Sequence, residues 1–218
     1  MISNSPDTGD RRTMDEDDVA EGTTTIGITT EDSVVLATER RASMGNLVAS
    51  KTAKKIYQIT DNAALTISGG VGDGQNLAKT LEIESNLYET RRGKPISMTA
   101  LSSMAGNLMR GLRFFVVPLL GGVDEEGPHV YSLDPAGGVM REEFASTGSG
   151  SVIAYGVLED KYRDDLSTEE AQELAIRGLQ SAMERDTASG NGIRLATITA
   201  EGVETMDPDE IDTRIAEM

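Results

Sequence analysis

The sequence predicts a segregated α+β fold, with helices grouped outside two sheets. Two observations carry this. The elements run strands, two helices, strands, two helices, strands, and not in strict βαβ alternation. Short β-branched runs also give way to helical spacing after the glycine cluster Gly69–Gly74. A length of 218 residues suits one or two domains, and no internal repeat is visible.

Met1 to Gly22 holds seven acidic residues and almost no large apolar side chain, so it reads as a leader that cannot fold alone. Thr23–Thr30 and Ser33–Thr38 are β-branched runs around Glu31-Asp32, which predicts a hairpin. Asn46–Ser50, Lys55–Ile59 and Ala63–Ser68 read as short strands. Next comes a glycine cluster, Gly69-Gly70-Val71-Gly72-Asp73-Gly74. Leu77, Leu81 and Tyr88 then keep helical spacing until Arg91-Arg92-Gly93-Lys94-Pro95 ends it. Ser97 caps a second helix carrying Leu101, Met104, Leu108 and Leu112.

Phe115–Leu120, His129–Leu133 and Val139–Phe144 are the next strands, with turns expected at Gly121-Gly122 and at Asp134–Gly138. A Gly/Ser loop, Ser146–Ser151, precedes a helix from Val152 to about Tyr162. Ser167-Thr168-Glu169-Glu170 is a capping box opening a fourth helix, striped by Ala171, Leu174, Ala175, Leu179 and Met183. Strands Arg194–Thr199 and Val203–Met206 follow, and Asp207-Pro208-Asp209-Glu210 starts a short last helix to Met218.

Composition narrows function. The net charge of -17 argues against nucleic acid or an anionic membrane as partner. The 20 basic residues include few lysines against 37 acids, a balance suited to a salty cytosol where screening weakens self-repulsion. The absence of cysteine removes disulfides, thiol nucleophiles and thiolate metal sites, and the lone His129 cannot build a histidine-rich metal site. No apolar run approaches a membrane span, and residues 1–22 lack a secretory pattern, so a cytoplasmic location is expected.

The chemistry centres on Glu21-Gly22-Thr23-Thr24-Thr25, the seam between the polar leader and the first strand. Cut there, Thr23 carries both a hydroxyl nucleophile and a free α-amine to act as its base. Such an amine titrates at about 7.7–8.0, near working pH. Taken alone, the seam reads first as a linker running into an edge strand. The glycine cluster fails both phosphate-binding patterns, because Gln75-Asn76 stand where a Walker loop needs Lys and Ser/Thr, and Gln75 replaces the third glycine of a dinucleotide fingerprint. It suits instead a close backbone approach whose N–H groups hold an oxyanion. Lys54-Lys55 is either a solvated strand end or a charge beside a nucleophile, and strand alternation sets Lys54 on the face opposite Lys55. Glu39-Arg40-Arg41 is a buried charge network or a hairpin exit. Arg185–Gly190 is a helix cap or an orienting cluster, and His129 is expected to make a structural hydrogen bond.

Together these residues resemble the archaeal-type proteasome β subunits. The resemblance runs through Gly22–Thr25, Ala37–Arg41, Lys54-Lys55-Ile56, Ser68–Asp73, Pro128-His129-Val130, Asp134–Gly138, Ala145–Ser151, Tyr155–Glu159 and Arg185–Gly190, and so covers 23–218 in order. It implies an N-terminal-nucleophile hydrolase fold, a four-layer αββα sandwich of two antiparallel sheets between helical layers. It implies a propeptide, 1–22, removed by self-cleavage between Gly22 and Thr23, and a catalytic domain, 23–218. By the same resemblance, Thr23 is the nucleophile of a threonine endopeptidase, with Glu39 and Lys55 its charged partners and Gly69 N–H the oxyanion hole. Ser149, Asp186 and Ser189 complete the polar network. Ala42, Ala53, Tyr57, Ile67 and Val71 would line an apolar specificity pocket, favouring cleavage after hydrophobic residues. Implied partners are proteasome α subunits and other β subunits in stacked seven-membered rings, a regulatory ATPase ring and unfolded proteins, with no cofactor or metal. A non-catalytic ring subunit and a small-amide hydrolase of the same fold are the alternatives.

Overall fold

A computed structural model of the chain describes residues 22–112 and 114–217, so the expected leader lies outside the described residues except for Gly22. The first sheet begins with β1 (Thr25–Thr29) and β2 (Val34–Glu39), the predicted hairpin, paired antiparallel from Thr25↔Thr38 to Thr29↔Val34. A small hairpin of β3 (Ala42–Met44) and β4 (Leu47–Ser50) follows, of which β3 has no signal beyond its three residues.

The second sheet opens with β5 (Ile56–Thr60) and β6 (Ala63–Thr66), one residue displaced from the expected strand start at Lys55. Helix α1 (Val71–Arg92) begins inside the glycine cluster, with Gly70 as its N-cap. Gly93 ends it, and helix α2 (Met98–Leu112) packs beside it.

Strand β7 (Leu119–Asp124) corrects two expectations. The strand starts later than Phe115, and Gly121 and Gly122 lie within it and do not form a turn. A Cβ on Gly121 would meet Val34 Cγ1 at 2.8 Å and Leu36 Cδ2 at 3.0 Å. One on Gly122, facing the other way, would collide with Met98 Sδ. Both glycines therefore serve layer packing, and the turn falls instead between β7 and β8 (Gly127–Leu133).

The single strand expected over Val139–Phe144 is two, β9 (Val139–Glu142) and β10 (Phe144–Thr147). Strand β9 ends the second sheet and β10 joins the first, so the chain crosses between sheets at Glu143. Helices α3 (Ser151–Lys161) and α4 (Thr168–Arg185) follow, the latter opened by the predicted capping box of Ser167 and Glu170. Strands β11 (Ile193–Thr199) and β12 (Gly202–Thr205) and helix α5 (Pro208–Glu217) end the described chain.

The sheets run β10-β1-β2-β11-β12 and β5-β6-β7-β8-β9, all pairs antiparallel. Three apolar layers separate four structural ones. Leu77, Leu81, Leu101 and Met109 seal α1 and α2 onto one sheet. Ile26, Val35, Leu174 and Leu179 seal α4 onto the other. Val34, Leu36, Ala64, Leu119 and Val130 fill the space between the sheets. Alternation along β2 explains the division, since Val34 and Leu36 face the opposite sheet while Val35 and Ala37 face the helices. This is the αββα sandwich of the N-terminal-nucleophile hydrolases. Among the described residues no helix is long and apolar enough to cross a membrane.

Candidate active site

One end of the sandwich gathers residues from six chain connections. Thr23 and Thr24 lead into β1, Glu39 ends β2, Lys55 precedes β5, and Gly69 lies between β6 and α1. Ser149 lies between β10 and α3, and Asp186 and Ser189 between α4 and β11. All seven residues expected at the site thus meet in one place.

Thr23 is 4% exposed, and its Oγ1 accepts a 2.9 Å hydrogen bond from Lys55 Nζ. The same hydroxyl donates to the carbonyl of Gly22, the residue just before it. Lys55 Nζ also forms a close ion pair with Glu39 Oε1. Glu39 is fully buried, yet its carboxylate is well supplied with donors. Thr24 N–H donates to Oε1, and the N–H groups of Arg41 and Gly190 donate to Oε2 at 2.6 and 3.1 Å. The buried-network reading of Glu39 is therefore the one realised.

Burial holds the Glu39 carboxyl above its ordinary range, although Lys55 and the backbone donors pull the other way. Burial likewise pushes the Lys55 ammonium down, against the attraction of Glu39. For each partner the other's charge offsets part, not all, of the cost of burial.

The third side is a hydroxyl network on Asp186. Ser149 Oγ and Ser189 Oγ both donate to Asp186 Oδ2 at 2.6 Å. Thr23 N–H donates to Ser149 Oγ at 3.4 Å, and Ser189 Oγ lies 2.8 Å from Thr24 Oγ1. Asp186 also ends α4 as its C-cap, so the helix cap and the orienting cluster are one feature.

Gly69 adopts φ +99°, a conformation that favours glycine, and a Cβ there would stand 2.6 Å from the Phe115 carbonyl. This lets the backbone join Thr23 on the wall of a shallow cavity. Ala42, Tyr57, Ile67 and Val71 line the cavity as expected, while Ala53 is not in the lining and donates its N–H to the Arg40 carbonyl. Ser43 and Lys54 line it too, and sequence reasoning assigned neither to the site. The Lys54 side chain is solvent-exposed, but its Nζ lies 5.3 Å over the Tyr57 ring, so it is not remote from the cavity.

Gly148 was also missed as a site residue. At φ +95° it packs on the Thr23 carbonyl so closely that any side chain would overlap it. The signal was present in the run Ser146-Thr147-Gly148-Ser149-Gly150, but a run of small residues does not say which glycine is pressed against what.

His129 lies within β8, and its Nε2 is 3.0 Å from Asp124 Oδ1, the structural hydrogen bond expected of it. Among the described residues no cluster of His, Asp and Glu is placed to hold a metal ion.

A model of the family described as proteasome subunit matches residues 19–198. A proteasome subunit beta of Halomicrobium mukohataei is 55% identical over 201 residues, covering 91% of this chain and 85% of that protein. Proteins of the same name from Methanobrevibacter smithii (49% over 203 residues, 93% of this chain and 100% of that protein) and Methanothermobacter thermautotrophicus (52% over 206 residues, 93% and 98%) are also similar. The salt-adapted composition is in keeping with the halophilic archaea among the relatives. On these matches, the chain belongs to the proteasome subunit family, as a β subunit of the archaeal type.

Proposed function

We propose that the chain is a peptide hydrolase of the threonine type and that Thr23 is its nucleophile. The observation that carries this is the contact of Lys55 Nζ with Thr23 Oγ1 at 2.9 Å, inside a buried ion pair with Glu39. A lysine so placed has no packing role that an apolar side chain would not fill better.

With the Gly22–Thr23 bond intact, the Thr23 nitrogen is an amide and cannot serve as a base. Removal of the leader, 1–22, turns it into an amine held by Ser149 and the Asp186 network. The Lys55 charge nearby disfavours a second positive charge and so keeps that amine neutral. The amine takes the hydroxyl proton as Oγ1 attacks a substrate carbonyl, and Gly69 N–H and Lys55 meet the developing negative charge. The amide nitrogen leaves with the proton, an ester to Thr23 remains, and water hydrolyses it. The apolar lining favours hydrophobic side chains before the cleaved bond.

As in the relatives' name, the chain would assemble with other subunits into a proteasome. Stacked seven-membered rings with α subunits, a regulatory ATPase ring and unfolded protein substrates in the cytoplasm complete the reading. N-terminal sequencing of the assembled particle alongside a fluorogenic peptide assay tests it. The expected result is an active particle whose β chain starts at Thr23. An active particle that retains residues 1–22 would overturn it.

A further inference from the structure

Four buried side-chain polar atoms lack any partner among the described residues: His129 Nδ1, alone in β8, and Thr38 Oγ1, Arg40 Nε and Arg194 Nε, which lie beside Glu39. Thr38 and Arg194 face each other across β2 and β11. Their side chains share a face, because directly opposed residues in an antiparallel pair project to the same side. That face is the inter-sheet one, since Val34 and Leu36 on β2 and Ile198 on β11 lie in the inter-sheet core. Arg40 comes two residues after Thr38. Its Cδ and Nη1 lie 3.6 and 3.7 Å from where a Cβ on Gly192 would stand, two residues before Arg194. The latter three atoms therefore belong to one neighbourhood at the rim of the sandwich.

The chemistry of the three is uniform. Both Nε–H groups can only donate, and the Thr38 hydroxyl has a proton to give. Thr38 is fully buried, so solvent does not satisfy it in bulk, whereas the two arginines are half-buried and open the site outward. Neither guanidinium forms an ion pair among the described residues, although the chain carries 37 acids. The nearest carboxylate in sequence, Glu39, already accepts from Lys55, Thr24, Arg41 and Gly190. Two cations and a hydroxyl able to donate, with Nε, Nε and Oγ1 all unpartnered among the described residues, suit the shell of a small anion.

We propose that Thr38, Arg40 and Arg194 form a binding site for one small monovalent anion, filled by a halide from solution or by a carboxylate side chain of a neighbouring subunit. Binding there would fasten the end of β2, which carries Glu39, to the start of β11, which follows the loop that carries the Gly190 N–H.

The test is a crystal structure of the assembled full chain in sodium bromide, read by anomalous scattering. A bromide peak, or a neighbouring chain's carboxylate, in hydrogen-bond contact with both arginines is the expected result. Water alone at the site, or nothing, overturns the proposal. Four variants separate the sources. If the occupant is a halide, Thr38→Val and Arg194→Gln lose the bromide-dependent rise in melting temperature of the wild type, and Thr38→Ser restores it. If the occupant is a carboxylate, bromide has no such effect, and Arg194→Glu lowers the assembled fraction in sedimentation. A wild type that neither responds to bromide nor loses assembly on Arg194→Glu also overturns it.

Discussion

The ammonium of Lys55 holds Thr23 and Glu39 together, donating to the hydroxyl of one at 2.9 Å and pairing with the carboxylate of the other. Lys55→Ala should therefore abolish peptide hydrolysis, lowering kcat by about 10²–10⁴-fold with little change in KM. The fold should survive, because three backbone N–H groups still serve Glu39 and its carboxyl can take a proton. Steady-state kinetics on particles shown intact by sedimentation check this. Lys54→Ala makes an informative companion. Because Lys54 lines the cavity over Tyr57, its loss should act on KM and leave kcat nearly unchanged. Equal losses of kcat in both variants would remove Lys55 from the reaction.

The ion pair also sets a pH limit. Burial lowers the Lys55 pKa below its ordinary 10.5, and Glu39 opposes that shift. Activity should fall on the alkaline side as Lys55 loses its proton, at a pH below that of a free lysine. Glu39→Gln removes the negative charge that favours the ammonium, so the Lys55 pKa falls further. The alkaline limb of the kcat profile should then move to lower pH. A limb that stays in place would assign it to another group.

Asp124 gives a separate test on stability. Burial works to raise its pKa, but the N–H groups of Met98 and Glu126 and the His129 ring outweigh it, and the carboxyl sits below its ordinary 3.8. A carboxylate with a depressed folded-state pKa stabilises fully above its unfolded value and loses that contribution as pH falls through the folded one. Acid unfolding of the wild type should thus include a component below pH 3.8 that Asp124→Asn lacks. Urea midpoints measured against pH read the difference, and identical acid limbs would remove Asp124 from the balance.

Local patterning made much of this molecule legible. The β1–β2 hairpin followed from β-branched runs about Glu31-Asp32, and α4 from the Ser167–Glu170 capping box that the structure reproduces. The site was legible only because several motifs stood in register with a known family, since Thr23, Lys55 and Asp186 are 32 to 163 positions apart and no periodicity joins them. What failed was tertiary. Gly121-Gly122 carries the local mark of a turn, yet the pair sits mid-strand because both faces of β7 are pressed by other layers. The break between β9 and β10 at Glu143 was equally invisible, because no glycine or proline marks it while the partner sheet changes. Lys54 was read by strand alternation, but β5 begins only at Ile56, so alternation did not govern it.

The Gly121 explanation can be tested directly. Gly121→Ala forces a methyl against Val34 and Leu36 across the two sheets, at 2.8 and 3.0 Å. Overpacking of this kind costs about 1–3 kcal/mol. Gly156→Ala, in the middle of α3 with nothing within 4 Å of its Cβ, should instead gain about 0.5–1 kcal/mol from helix propensity. Thermal melting of both variants decides the matter. A neutral Gly121→Ala would return the Gly121-Gly122 pair to a role in chain direction alone.

The charge of the chain sets a condition on assembly. The full-length chain carries -17, most of it outside residues 1–22, and packing copies into a proteasome brings those charges within a few tens of ångströms of one another. Screening decides whether the repulsion matters, because the Debye length grows from about 3 Å in 1 M salt to about 30 Å at 0.01 M. At high salt, surface carboxylates on adjacent subunits are screened from one another. At low salt the fields overlap, and the few lysines offer little local neutralisation. The particle should therefore dissociate as salt is withdrawn, with activity falling in parallel, because the fold of each subunit has its apolar layers inside and does not depend on the salt to the same degree. Sedimentation velocity across that range, with circular dichroism on the same samples, separates the two effects. An intact particle at 0.01 M salt would count against charge repulsion as the limit on assembly, and loss of secondary structure before dissociation would place the weakness in the subunit itself.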